Sequence, residues 1–97
     1  MDIEKIYKEV LEYYQTIENL NEGEHLWDSY QNVVAIMLRV SHIRSEIAFL
    51  EVMGQASPQQ KKFRTMVLDP FIDRLHEVAT FESRKITAKS IEAQMEK

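Results

Sequence analysis

Apolar residues recur along this chain at helical spacing almost from end to end. Ile3, Ile6, Tyr7, Val10, Leu11, Tyr14, Ile17 and Leu20 follow the i, i+3, i+4, i+7 rule without a gap. The pattern predicts a first helix over 3–20. Asp2 is placed as its N-cap, and Glu4 lies in the first turn, where a carboxylate suits the positive end of the helix dipole. Glu9, Glu12, Gln15 and Glu18 make the opposite, solvated face.

A second helix is predicted to start after Asn21 and to run to about Met53. Asn21 with Glu24 has the form of a capping box, and Gly54 is placed to close the helix in a left-handed conformation. Its stripe reads Leu26, Tyr30, Val33, Met37, Val40, Ile43, Ile47, Leu50 and Met53. Spacings of three and four alternate, closer to the period of a coiled-coil seam than to a straight helix. Trp27, Val34, Ile36, Leu38, Phe49 and Val52 widen the stripe, so this helix is expected to have neighbours on more than one side.

The third helix begins at Ser57-Pro58-Gln59-Gln60, where Ser57 caps, Pro58 takes the first helical position and Gln60 completes a capping box. Phe63, Val67, Phe71, Leu75 and Val78 continue the stripe. Pro70 leaves two outcomes open. Either a continuous helix kinks there, or a short helix ends near Leu68 and a new one starts with Asp69 as cap. Beyond Phe81 the stripe thins to Ile86, Ala88, Ile91, Ala93 and Met95.

Length then constrains shape. A second helix of about 32 residues is a rod of roughly 48 Å. A compact domain of this size has a radius of gyration near 13 Å. The expected fold is therefore all-α and elongated: one domain over 1–97, an antiparallel three-helix hairpin or bundle with coiled-coil-like packing, a long central helix and a Pro-kinked or split third helix.

Composition narrows the function. The 97 residues include no cysteine, which excludes a disulfide scaffold and thiolate metal sites. Two glycines and two prolines are too few for a turn-rich β protein. No apolar run approaches the roughly 20 residues of a membrane span. Met1-Asp2-Ile3-Glu4 lacks the basic and apolar start of a secretion signal, so a cytoplasmic protein without membrane partners is expected.

The net charge of −4 is unevenly spread. Residues 1–30 carry eight acids and two bases, whereas residues 31–68 carry two acids and five bases. Those bases are Arg39, Arg44, Lys61, Lys62 and Arg64. They define a candidate patch at the turn between helices two and three for an acidic partner or a phosphate backbone, against the plainer reading of a solvated first turn. Arg84, Lys85 and Lys89 form a second basic group. With Ile86, Ala88, Ile91 and Met95 they read as an interaction helix that meets a partner, or else as a fraying end. Tyr13 falls beside the helix-one stripe and is the aromatic expected at the surface or an interface.

Candidate chemistry is sparse. Glu22 and His25, and Asp73 and His76, have the i, i+3 spacing of carboxylate-bundle metal ligands, with Glu9 or Glu12 as conceivable further ligands. In a chain that is 29% charged, such spacings arise by chance. His42 and Glu46 read as a surface pair. No nucleophile–base order and no glycine-rich phosphate loop stands out. A thin helical rod also offers little concavity for catalysis. No enzyme activity, cofactor or metal is expected.

Ser83-Arg84-Lys85-Ile86 followed by Lys89-Ser90-Ile91 resembles the end of the small helical recombination mediators of T4-like phages. The likeness covers under a fifth of the chain, and the acidic N-terminal third departs from what a single-strand DNA accessory carries. It assigns no residue a role.

The expected function is a non-enzymatic protein–protein interaction module, an adaptor, inhibitor or assembly factor. It would act through helical packing, on itself as a homo-oligomer or on another protein. The alternative is a nucleic-acid accessory protein using the basic patch.

Overall fold

The computed structural model describes residues 2–19 and 26–95. The sequence readings at Leu20, at the Asn21–Glu24 box and at Glu22 and His25, with the side chains of Leu26 and Trp27, lie outside the described residues.

Helix α1 spans Ile3–Glu18. The Asp2 carboxylate caps it by accepting from the backbone N–H groups of Glu4 and Lys5 at 3.1 and 3.4 Å. Helix α2 spans Leu26–Val52 without interruption, about 40 Å of rod. It ends as glycine-closed helices do. Gly54 adopts φ 70°, its N–H donates to the Glu51 carbonyl at 3.1 Å, and the Gln55 N–H donates to the Leu50 carbonyl at 2.8 Å. This crossed pair of bonds satisfies carbonyls that the helix end would otherwise leave open.

Helix α3 spans Pro58–Phe63 and opens with both halves of the capping box in place. The Gln60 N–H donates to Ser57 Oγ at 3.1 Å, and the Ser57 N–H donates to Gln60 Oε1 at 2.9 Å. A π-helical turn, Arg64–Leu68, then leads into α4, Asp69–Met95. The three segments form one third helix, so the split at Asp69-Pro70 does not occur.

The π-turn explains how the helix passes Pro70. Proline has no N–H to donate and its ring clashes with the carbonyl four residues back. Widening the preceding turn by one residue moves that carbonyl away. Asp69 keeps helical angles, φ −61° and ψ −50°, and its N–H reaches back five residues to the Arg64 carbonyl.

The two long rods pack side by side, α2 chiefly against α4, and α1 lies along part of them. Val33, Ile36, Val40, Ile43 and Ile47 of α2 meet Phe63, Leu68, Phe71 and Leu75 of the third helix, with Val10 and Ile17 of α1 closing the core. The molecule measures 59 × 24 × 16 Å and has a radius of gyration of 16.6 Å, well above the ~13 Å of a compact domain of this size. Leu38, Phe49 and Val52 remain exposed on the face of α2 turned from this core, as does Met53 in the turn that follows. Among the described residues, no helix is long and apolar enough to cross a membrane.

Candidate docking face

Helix α1 carries two apolar stripes. Ile3, Ile6, Val10, Tyr13 and Ile17 join the core, while Tyr7, Leu11 and Tyr14 look outward beside the third helix. Tyr7 tilts against Phe63 at 6.2 Å between ring centroids, and Tyr14 against Phe71 at 5.7 Å. These edge contacts fix the α1 aromatics without covering them. Tyr7 and Tyr14 stay 48% and 47% exposed.

Tyr13 was expected at the surface or an interface, and the first of these is corrected: it is half-buried against the core, and its hydroxyl donates to Glu9 Oε2 at 2.9 Å. The seam of α1 alternates threes and fours, so it takes Ile6, Val10, Tyr13 and Ile17 inward and turns Tyr14 out.

Between α1 and the third helix lies a furrow of about 440 Å³. Tyr7, Leu11 and Tyr14 form one wall, and Met66, Pro70 and Phe71 the other. Arg74 leads from it into a second depression past the end of α1, of about 470 Å³, bordered by Ile17, Glu18, Glu77, Phe81 and Glu82. Glu77 and Phe81 are shared with a third, lined also by His76, Thr80 and Arg84. Linked by these shared residues, the three depressions follow one another along the third helix as a trough, apolar at one end and charged at the other.

The basic patch is largely absorbed into the fold. Arg39 reaches across to α1, where its Nε and Nη2 donate to the two Glu9 oxygens at 2.8 and 3.2 Å. Arg64 grips Glu51 with Nε and Nη2 at 2.7 and 3.1 Å, and its Nη1 donates to Asp69 at 2.9 Å. Arg44 completes the chain on the other Asp69 oxygen at 2.7 Å. These arginines clamp helices together, and their charge is met by carboxylates. Arg44 and Arg64 share Asp69, but Arg39 works at the α1 side. Lys61 and Lys62 are exposed after the turn.

The ion pairs shift the groups that make them. The Arg39 guanidinium holds Glu9 below its ordinary 4.5, against the opposing effect of burial and with help from the Tyr13 hydroxyl. Burial, followed by the Glu9 hydrogen bond, pushes Tyr13 up. Glu51 raises Arg64, as Glu9 raises Arg39.

A carboxylate whose folded pKa lies below its unfolded value stabilises the fold above the unfolded value, and that stabilisation is lost as pH falls through the folded one. Urea denaturation of wild type and Glu9→Gln at a series of pH values is the check. The stability gap is expected to hold steady above 4.5 and to close as the solution becomes more acidic than that.

In the second basic group, Lys85 Nζ lies 4.1 Å from the centroid of the Phe81 ring, within cation–π range. Ile86 is half-buried, a correction to its place on the free stripe. Arg84, Ala88, Lys89, Ile91 and Met95 are exposed. Asp73 and His76 are likewise exposed, and no group of three or more His, Cys, Asp or Glu side chains converges among the described residues. His42 Nε2 and Glu46 form the anticipated surface pair at 2.9 Å.

Sequence reasoning missed Glu82, which is 3% exposed and whose Oε2 has no hydrogen-bond partner among the described residues. The signal was present: Phe71, Leu75 and Val78 continue to position 82 at core spacing, although a charged residue there does not register as part of an apolar stripe.

No family model matches the chain, and no curated protein or solved structure matches it.

Proposed function

We propose that this chain is a non-enzymatic interaction module that docks by helical packing through the trough beside α1. The observation that carries this reading is the apolar end of the trough. Tyr7, Leu11, Tyr14 and Met66 lie together there, each between 43% and 65% exposed. Isolated exposed apolar residues are ordinary, but a contiguous group in a groove between two helices has the form that accepts a further helix.

A second line of support is the fate of the arginines. Arg39, Arg44 and Arg64 are occupied by carboxylates of their own chain, so the basic turn offers little of the uncompensated charge that a phosphate backbone requires. The docking reading is accordingly preferred over the nucleic-acid one.

Site-specific photo-cross-linking in the producing cell tests the reading. A photoreactive side chain at Tyr14 is expected to give a discrete adduct, with itself or another protein, while the same probe at exposed Thr65 is expected to give none. Absence of an adduct from Tyr14 contradicts the reading.

A further inference from the structure

The exposed side of the third helix carries a row that its own chain uses only in part, Arg74 lying 3.5 Å from Glu77 and 3.9 Å from Glu18. Met66, Pro70, Arg74, Glu77, Phe81 and Arg84 are spaced by threes and fours and are all exposed, and Ala88, Ile91 and Met95 continue the row in the same spacing. Met66, Phe81, Ile91 and Met95 are 65%, 49%, 52% and 82% exposed. Threes and fours are the spacing of a helix-pair seam, here with Arg74, Glu77 and Arg84 set among the apolar positions.

Building on the docking reading, we infer that this row pairs with the third helix of a second copy, running antiparallel, with the two-fold axis between Thr80 and Phe81. The charges choose this arrangement together with the length of the row: setting Arg74 against Glu77 of the other copy also matches charges, but it leaves Ile91 and Met95 beyond Met66. About that midpoint, Glu77 of one copy lies opposite Arg84 of the other, and the symmetry makes the pair twice. Pro70 lies opposite Ile91, and Met66 opposite Met95, so the two ends of the row meet apolar on apolar, while Phe81 faces Thr80 across the axis and Ala88 faces Asp73. Sliding one heptad in either direction sets Glu77 against Glu77 or Arg84 against Arg84. A parallel pair in register sets Arg74, Glu77 and Arg84 each against its own image. Like charges placed opposite one another exclude those alternatives.

The register also fills the trough. The C-terminal stretch of one copy, Ala88 to Met95, falls along the Met66–Arg74 wall of the other, beside Tyr7, Leu11 and Tyr14. Its basic residues Arg84 and Lys89 approach the acidic α1 end of the partner, where Glu18 lies. From Met66 to Met95 the strip is about 44 Å long. At a helix spacing near 10 Å, the two strips bury about 900 Å² in total. That is near the roughly 1,000 Å² a specific interface needs, and Tyr7, Leu11 and Tyr14 beside the strip add to it.

Sedimentation equilibrium of the full chain tests the pairing. Wild type is expected to sediment as a dimer of the 11.5 kDa chain. Arg84→Glu is expected to weaken the dimer at least about tenfold. Adding Glu77→Arg to Arg84→Glu is expected to restore it to within about threefold of wild type, with helical circular dichroism unchanged throughout. The chain has no cysteine, so a mixture of Met66→Cys and Met95→Cys chains is expected to form the mixed disulfide on oxidation. A wild-type monomer at every concentration overturns the pairing, as does a double variant that stays as weak as Arg84→Glu. If that monomer still cross-links another protein from position 14, the docking reading survives without the dimer. If it cross-links nothing, both fall.

Discussion

Leu75→Ala is expected to destabilise the fold by about 3–4 kcal/mol, lowering the melting temperature by roughly 12–25 °C in a chain this short. Leu75 is completely buried, in a cluster that joins Val33, Ile36, Val40 and Ile43 of α2 to Leu68 and Phe71 of the third helix. Removing its isobutyl group forfeits the transfer free energy and leaves a void. The void has little chance to collapse. Long helices on both sides are stiff, and with a section of only 24 × 16 Å there is no second layer of side chains to move in. Total stabilities of small domains run about 5–15 kcal/mol, so the loss takes a large share. Leu38→Ala provides the contrast. Leu38 is 67% exposed on the other side of α2, and its loss is expected to stay within about 0.5 kcal/mol. Both are read by urea and thermal denaturation at one fixed chain concentration, because association shifts apparent stability. A Leu75→Ala cost no larger than that of Leu38→Ala contradicts the core assignment.

The parts of this fold that could be read from the sequence are those decided within a few residues. The Ser57 box, the Asp2 cap and the Gly54 closure are local chemistry, and each forms the bonds its residue types imply. The long apolar stripes fix helix number and length, and length forces the elongated shape. Pro70 was ambiguous because both outcomes fit the same residues. The choice depended on whether the preceding turn could widen, and the π-turn at Arg64–Leu68 settles it.

Pairings between distant residues were not legible. Counting charges along the chain made Arg39, Arg44 and Arg64 look like a free patch. Their partners Glu9, Asp69 and Glu51 are brought to them only by folding. Tyr13 and Tyr14 are adjacent, and α1 has two stripes that each satisfy helical period. Which one faced α2 depended on the seam geometry of the assembled helices. The trough is a product of the same assembly. Its walls come from residues more than fifty positions apart in the chain, Leu11 and Met66 among them.

Three methionines offer the most direct test of the central claim, that the trough side of the molecule is an interface while the back of α2 is not. Met66 and Met53 have similar exposure in the single chain, 65% and 55%, and Met95 is 82% exposed. Met66 lines the trough and Met95 continues its row, whereas Met53 lies in the turn that follows α2 and lines no part of the trough. Thioether oxidation follows access closely, and the chemistry is the same at all three positions. Oxidation by hydroxyl radicals, read residue by residue by mass spectrometry in the dilute and the assembled protein, separates the two faces. The account predicts that assembly slows Met66 and Met95 at least about fivefold, as burial at an interface excludes solvent, and leaves Met53 unchanged. Equal oxidation of all three in the assembled state, or protection of Met53 alone, would contradict it.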